Sequence, residues 1–186
     1  MNKSEIRRLI RNKKTQLSEE YVTELSQQLL HQFSSFDLSS ISTLHLFLPI
    51  KEKKEPDTFI IIDWLSVHHP EIKIIVSTAD FDTSLMTHFL YEGKEHLAKN
   101  LYNILEPQNG KLHTGDIDLV LIPMLAFDKK GFRVGYGKGF YDRFLQKMKT
   151  LKIGICLFEP FDNIDDVNEY DVKMDACITP TTVYRF

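Results

Sequence analysis

The chain moves between two hydrophobic rhythms. Residues 2–15 and 18–32 follow the helical period, the second segment opening at Ser18 and carrying Val22, Leu25 and Leu29 on one face. Short apolar runs then take over. Leu44–Ile50 (LHLFLPI), Ile72–Val76 (IKIIV), 118–122 (DLVLI) and Lys152–Phe158 (KIGICLF) each read as a buried strand. A helix is predicted at 59–67 with Thr58 as its cap, and Phe140, Tyr141, Phe144, Leu145 and Met148 recur at helical spacing. Buried strands separated by helices predict an α/β fold: three layers, α/β/α, with a central, mainly parallel sheet and two N-terminal helices. Ligands gather beyond the carboxyl ends of such strands, so the loops starting near Ile50, Pro123 and Glu159 are expected to meet on one side. Residues 79–116 are less regular, and short antiparallel strands around Phe89 and a wall of the site are expected there.

Candidate chemistry concentrates in residues 131–142, GFRVGYGKGFYD, between the third strand and the last helix. Gly131, Gly135, Gly137 and Gly139 let the backbone turn tightly and point N–H groups inward, while Arg133 and Lys138 supply charge suited to a polyphosphate. A helix starting near Gly139 would add free N–H groups and the positive end of its dipole. Asp142, in its first turn, would either cap amides or hold magnesium. The spacing is neither that of a P-loop, since no GK[ST] follows, nor the dinucleotide GxGxxG. On these residues alone, phosphate binding and close packing of a glycine loop against its helix both stand.

At 186 residues, one domain spanning 1–186 is expected. With 42% hydrophobic and 26% charged residues the composition argues against general disorder, and a net charge of −3 favours no nucleic acid. A local basic face exists in Lys3, Arg7, Arg8, Arg11, Lys13 and Lys14, opposed within that stretch by Glu5 alone. The start MNKSEIRRLI lacks the apolar run of a secretory signal and no stretch approaches 18 apolar residues, so a cytoplasmic protein without membrane contact is expected. Cys156 and Cys177 read as buried thiols, and the seven histidines form no HExxH pattern. No nucleophile elbow supports a covalent serine mechanism.

The run Pro123 to Leu145, PMLAFDKKGFRVGYGKGFYDRFL, resembles the signature of the 5-formyltetrahydrofolate cyclo-ligase (methenyltetrahydrofolate synthetase) family, and weaker resemblance extends over nearly the whole chain. The resemblance implies an ATP- and Mg2+-dependent closing of 5-formyltetrahydrofolate to 5,10-methenyltetrahydrofolate, with release of ADP and phosphate through an iminium phosphate. It implies nucleotide contacts from Lys3 and Arg7, one helical turn apart, and from Arg133, Val134, Gly135, Tyr136, Gly137, Lys138, Gly139, Phe140 and Tyr141. Of these, Arg133 and Lys138 would act in catalysis by stabilising phosphate charge. Glu55 corresponds to the carboxylate that holds the pterin, Ile50 to an apolar lining residue, and Tyr102 to an aromatic wall, with Tyr136 and Phe140 also flanking the substrate. Asp142 and Asp171 correspond to magnesium ligands, Asp175 being the alternative to Asp171 in the acidic run.

The chain departs from the pattern in three places. Tyr136 stands where many members carry Arg or another polar side chain, Phe140 where a first Tyr is usual, and Tyr102 where a Trp often begins the segment. These changes bear on turnover and substrate preference more than on fold. The implied substrate is a reduced folate, with or without a polyglutamate tail, and a monomer is favoured. A non-catalytic nucleotide-binding regulatory module is the alternative, and a nucleic-acid adaptor built on the basic first helix is a third reading.

Overall fold

A computed structural model describes residues 1–146 and 148–186. Both N-terminal helices begin where the sequence supplies a cap. In α1 (Lys3–Thr15) Asn2 accepts from the Glu5 amide and Glu5 accepts from the Asn2 amide, each at 2.9 Å, which closes a capping box. In α2 (Glu19–Phe33) the Ser18 hydroxyl accepts from the Tyr21 amide at 3.1 Å.

The first strand is shorter than its apolar run. Only Thr43–His45 (β1) joins the ladder, and the chain then runs on extended, with the Leu46 amide donating to Ile75 O at 3.1 Å. The Phe47 carbonyl is taken instead by the Thr58 hydroxyl at 2.6 Å. That bond also corrects the expected cap of α3 (Phe59–His68): Thr58 is at the cap position, but its hydroxyl is committed elsewhere and Asp57 accepts from the Phe59 amide at 3.0 Å.

The remaining strands follow as β2 (Lys73–Asp80), β3 (Leu85–Leu90), β4 (Leu97–Lys99), β5 (Leu105–Pro107), β6 (Leu119–Pro123), β7 (Ala126–Phe127), β8 (Arg133–Val134), β9 (Leu151–Ile155), β10 (Ala176–Ile178) and β11 (Val183–Arg185). Seven of them form one sheet in the order β11-β10-β9-β6-β1-β2-β3. The five inner strands are parallel, and β3 and β11 pair antiparallel at the edges. The irregular middle therefore does contain antiparallel strands: β3 beside Phe89 and the β4–β5 hairpin.

Strand alternation sorts the core into two faces. Leu119 and Leu121 join Leu29, Phe33, Ile61 and Leu65 from α2 and α3 on one side. Val120 and Ile122 point the other way, toward Leu145 of α4 (Phe140–Leu145), with Tyr141 and Phe144 packed alongside. Truncating Leu29 or Leu65, each 1% exposed, to Ala should cost about 2–5 kcal/mol. The second layer is thin, since α4 has only 6 residues. Of the residues expected to continue that helix, Lys147 lies outside those described. A third cluster seats α1 on the β7–β8 ribbon, where Ile6 and Ile10 meet Leu125, Ala126 and Val134. This seating carries Lys3 and Arg7 to the glycine loop. Among the described residues no helix is long and apolar enough to cross a membrane.

Candidate active site

The chain leaves β1 toward β2 on one side and later returns to β6 on the other, so β1 stands at the point where the strand order reverses. Crevices for ligands open at the carboxyl ends of strands flanking such a point. A cavity of about 320 Å³ lies there, lined by the ends of β1, β2 and β6, the start of α1 and the glycine loop.

At one end of the cavity stand Lys3, Arg7, Arg133 and Lys138. Each of the first three is already held. Arg7 Nε donates to Gly135 O at 2.8 Å, Lys3 Nζ pairs with Asp171 Oδ2 at 2.5 Å, and Arg133 Nη2 pairs with Asp142 Oδ1 at 2.7 Å. Lys138 is exposed and makes no ion pair among the described residues. Its carbonyl accepts from Arg143 Nη1 at 3.0 Å. Gly137 and Gly139 have φ of 101° and 71°, the left-handed region where a side chain is strained. A Cβ on Gly137 would meet the Arg7 guanidinium at 3.5 Å, an ordinary contact, so it is the turn that asks for glycine here. The helix beginning at Phe140 is too short for a large dipole, leaving side-chain cations as the main positive charge.

Asp142 and Asp171 both line the cavity, and each carboxylate has one oxygen occupied. Asp142 Oδ1 accepts from Arg133 and from the Val172 amide, while Asp171 Oδ2 accepts from Lys3 and from the Asn168 amide. Among the described residues the other oxygen of each carboxylate has no hydrogen-bond donor, and no cluster of three or more His, Cys, Asp or Glu is present. Two carboxylates with an oxygen in hand fit magnesium, which takes one or two protein carboxylates and completes its shell with phosphate and water. Asp175 does not line the cavity; its carboxylate pairs with Lys152 at 3.1 Å and accepts from the Lys152 amide at 2.7 Å.

The rest of the lining is largely apolar and aromatic, with Glu55 and Lys53 as its charged members. Glu55 is 7% exposed and accepts from the Ile50 amide at 2.8 Å, a bond permitted by the left-handed Lys54 at φ 49° between them. Burial pushes the Glu55 carboxyl above its ordinary range, while the nearby Tyr136 hydroxyl, the Ile50 amide and the Lys14 and Lys53 charges oppose the rise. Tyr136 lies beside Glu55, with Lys53 Nζ 4.7 Å from its ring centroid. Burial and then the Glu55 charge raise the Tyr136 hydroxyl, which makes no geometrically sound hydrogen bond. Ile50, Phe140, Tyr141 and Gly135 complete this group of expected residues on the wall.

Two expected residues fall outside the wall. Val134 is fully buried between α1 and the β7–β8 ribbon, so it supports the loop from behind. Tyr102 sits in the β4–β5 turn, 62% exposed, outside the lining, with its ring tilted against Phe81 at 4.3 Å. Phe81 in turn meets Phe140 edge-on at 5.3 Å. The loop after β9 also stays away from the cavity, because Glu159 is taken by Thr181 at 2.7 Å and by the Tyr184 hydroxyl. Residues absent from the sequence reading include His45, Lys53, Ser77, Phe81 and Met86. Their one advance signal was a histidine inside an otherwise apolar strand.

A model of the 5-formyltetrahydrofolate cyclo-ligase family matches residues 1–180. The chain belongs to this family. Among cyclo-ligases it is 27% identical over 182 residues to the enzyme of Mycoplasma genitalium, covering 95% of this chain and 98% of that one. The fold is shared with the 5,10-methenyltetrahydrofolate synthetase of Aquifex aeolicus, at a TM-score of 0.76 and 27% identity over 100% of this chain and 93% of the other. The Mycoplasma pneumoniae synthetase superposes with a TM-score of 0.73 at 25% identity, over 96% and 98% of the two chains. The α/β fold expected from the strand pattern is thus the fold of cyclo-ligases, and the family resemblance of Pro123–Leu145 holds for the chain as a whole.

Proposed function

We propose that this chain is an ATP- and magnesium-dependent enzyme that closes 5-formyltetrahydrofolate to 5,10-methenyltetrahydrofolate, releasing ADP and phosphate. One observation carries the reading: a single cavity joins a cation-lined glycine loop to a buried carboxylate in an aromatic and apolar recess. A polyphosphate suits the first end and a flat, polar-edged ring the second.

A formamide oxygen is a poor leaving group, and phosphorylating it gives an iminium phosphate that N10 of the same folate can attack. N10 then loses its proton, and the former formyl oxygen departs with phosphate. Arg133 and Lys138 stabilise negative charge on the transferring group, where fixed cations act most strongly. Arg7 fixes the loop through Gly135 O and, with Lys3, faces the nucleotide. Asp142 and Asp171 would hold magnesium, which when bound neutralises phosphate charge. Glu55 accepts paired hydrogen bonds from an aminopyrimidine edge, which sets the orientation of the ring. Ile50 and Phe140 exclude water beside it.

The lengths matched in cyclo-ligases support one catalytic domain over 1–186, acting on a reduced folate. A monomer in the cytoplasm is the simplest arrangement. Phosphate release should depend on 5-formyltetrahydrofolate at saturating Mg–ATP. Nucleotide binding with no folate-dependent release would instead identify a regulatory module.

A further inference from the structure

α1 buries one stripe of side chains, Ile6, Ile10 and Lys14, each one turn after the last. The two isoleucines meet Leu125, Ala126 and Val134, as an apolar stripe should. Lys14 breaks the pattern. It is only 6% exposed, yet among the described residues its ammonium makes no ion pair. An ammonium gives up its hydration on entering the interior, so lysine is seldom buried unless an opposite charge answers it.

The neighbouring chain is the loop that carries Glu55. That loop is tied to the start of α2, just after α1 ends: Lys54 Nζ pairs with Glu19 Oε1 at 3.9 Å, and the Asp57 amide donates to Ser26 Oγ at 3.0 Å. Tyr136, beside Glu55, packs on the cluster of Ile6 and Ile10, the stripe that Lys14 continues. Glu55 is itself only 7% exposed, with the Ile50 amide on Oε2. Two opposite charges are thus buried close enough to act on each other without a direct bond, Glu55 in the cavity wall and Lys14 off it.

The other groups around them single out this pairing. Burial lowers Lys14, and the Glu55 charge is the largest influence that raises it again. Cys156 also faces Lys14, but burial pushes that thiol up to about 12, so it stays neutral. Tyr136 and Tyr141, the phenols beside Glu55, are raised by burial and then by the Glu55 charge, and they stay neutral too. Lys53 is exposed, its ammonium 4.7 Å from the Tyr136 ring centroid, and it repels Lys14 while favouring the charged form of Glu55. Water screens a charge so placed, whereas the buried ammonium acts through the protein.

We propose that Lys14 is a positioning residue for the substrate site: its buried ammonium, held by α1 outside the cavity, keeps Glu55 a carboxylate, ready to accept paired hydrogen bonds from the amino-substituted ring of the reduced folate. This rests on the folate reading above. A protonated Glu55 would turn an O–H toward an edge that itself donates, and one acceptor would be lost. The same charge in solvent would do less, which gives a reason for a lysine at the end of an otherwise apolar stripe.

The test reads the Glu55 carboxyl by carbon-13 NMR of the glutamate side chains over pH, its resonance assigned by loss in Glu55→Gln. Lys14→Met keeps the length and the apolar stem and removes the charge. In the free, folded variant the Glu55 titration should move up by about one pH unit, the size expected when a nearby opposite charge is lost. The rise of folate KM toward acid pH should move up with it while KM for ATP holds, and Lys14→Arg, which restores the charge, should bring both back toward wild type. The coupling must also be reciprocal: in Glu55→Gln the Lys14 ammonium, followed by nitrogen-15 NMR, should titrate about one pH unit lower than in wild type. That arm needs no Lys14 variant, so it decides the matter should Lys14→Met fail to fold. A Glu55 titration unmoved in folded Lys14→Met, a folate KM profile that stays in place, or a Lys14 titration indifferent to Glu55→Gln would each overturn the inference. Wild-type protein that binds no folate would bring down the proposed function and this role with it, and would be told apart by the two titrations, which are read on the free protein and would remain coupled.

Discussion

Arg133 and Asp142 tie the proposed phosphate site to the fold, and breaking that tie has a size that can be worked out. Arg133 is 6% exposed at its side chain and Asp142 29%; they meet at 2.7 Å, and Arg133 Nη1 also donates to Val172 O at 3.2 Å. Arg133→Met fills much of the same space but strands a carboxylate and a carbonyl. Removing one partner of a buried pair costs about 3–5 kcal/mol, and the partial exposure of Asp142 lets water recover some of it, leaving about 2–3 kcal/mol. Asp142→Asn keeps an oxygen that accepts from Arg133 and from the Val172 amide, so its cost should be about 1 kcal/mol. In the double variant the stranded charge is gone, and the total should fall short of the sum by about 1 kcal/mol. Urea unfolding at pH 7, with unchanged slopes, measures all four corners of the cycle. Additivity within about 0.5 kcal/mol, or Arg133→Met as stable as wild type, would show that this ion pair does not hold the loop to the helix.

Other variants separate binding from folding. Lys138→Ala should leave stability within about 0.5 kcal/mol, because the side chain is exposed, while turnover and ATP use fall; equal ATP dependence in the folded variant would remove Lys138 from the mechanism. Glu55→Gln should raise the folate KM by about 10–100-fold through loss of a charged acceptor, with nucleotide binding little changed in separate titrations. Burial raises the Glu55 pKa, so the folded state favours the protonated form, a contribution present below the unfolded value and lost as pH rises through the folded one. Glu55→Gln should therefore unfold at higher urea than wild type at pH 7, and that gain should vanish below pH 4.5, the ordinary value of a free glutamate carboxyl. His45 shows the opposite sign: lowered from 6.5 to about 3, it contributes stability above pH 6.5 that is lost as pH falls toward the folded value. The slope from this one group is about 1.4 kcal/mol per pH unit across that window, and a His45→Phe protein unfolding with wild-type acid sensitivity would refute it.

The fold was largely legible because its strands are short apolar runs and its helices carry caps. Where the reading slipped, a side chain had overruled local pattern. Thr58 sits at a cap position, but its hydroxyl serves Phe47 O and Asp57 accepts from the Phe59 amide in its place. The proposed nucleotide end of the site was legible for a similar reason, since glycines, cations and a carboxylate crowd into 131–142. At the proposed folate end Glu55, Ile50, Tyr136 and Phe140 were named through the family likeness, whereas Ser77, Phe81 and Met86 were not, because they come from strand and turn positions with no motif, assembled only when β2 and β3 pair beside β1. His45 was hidden by the same apolar run that announced its strand. Tyr102 shows the converse: family likeness picked the residue, yet here it stands one ring back from the cavity, behind Phe81.

The central claim is that one cavity couples ATP cleavage to folate ring closure. Purified protein, 5-formyltetrahydrofolate and Mg–ATP in one cuvette, followed for methenyl absorbance and for ADP and phosphate together, tests it most directly. The account predicts one methenyl product per ADP and per phosphate, with neither released when folate or magnesium is withheld. A flat absorbance trace from folded protein, or phosphate released at the same rate without the folate, would contradict it.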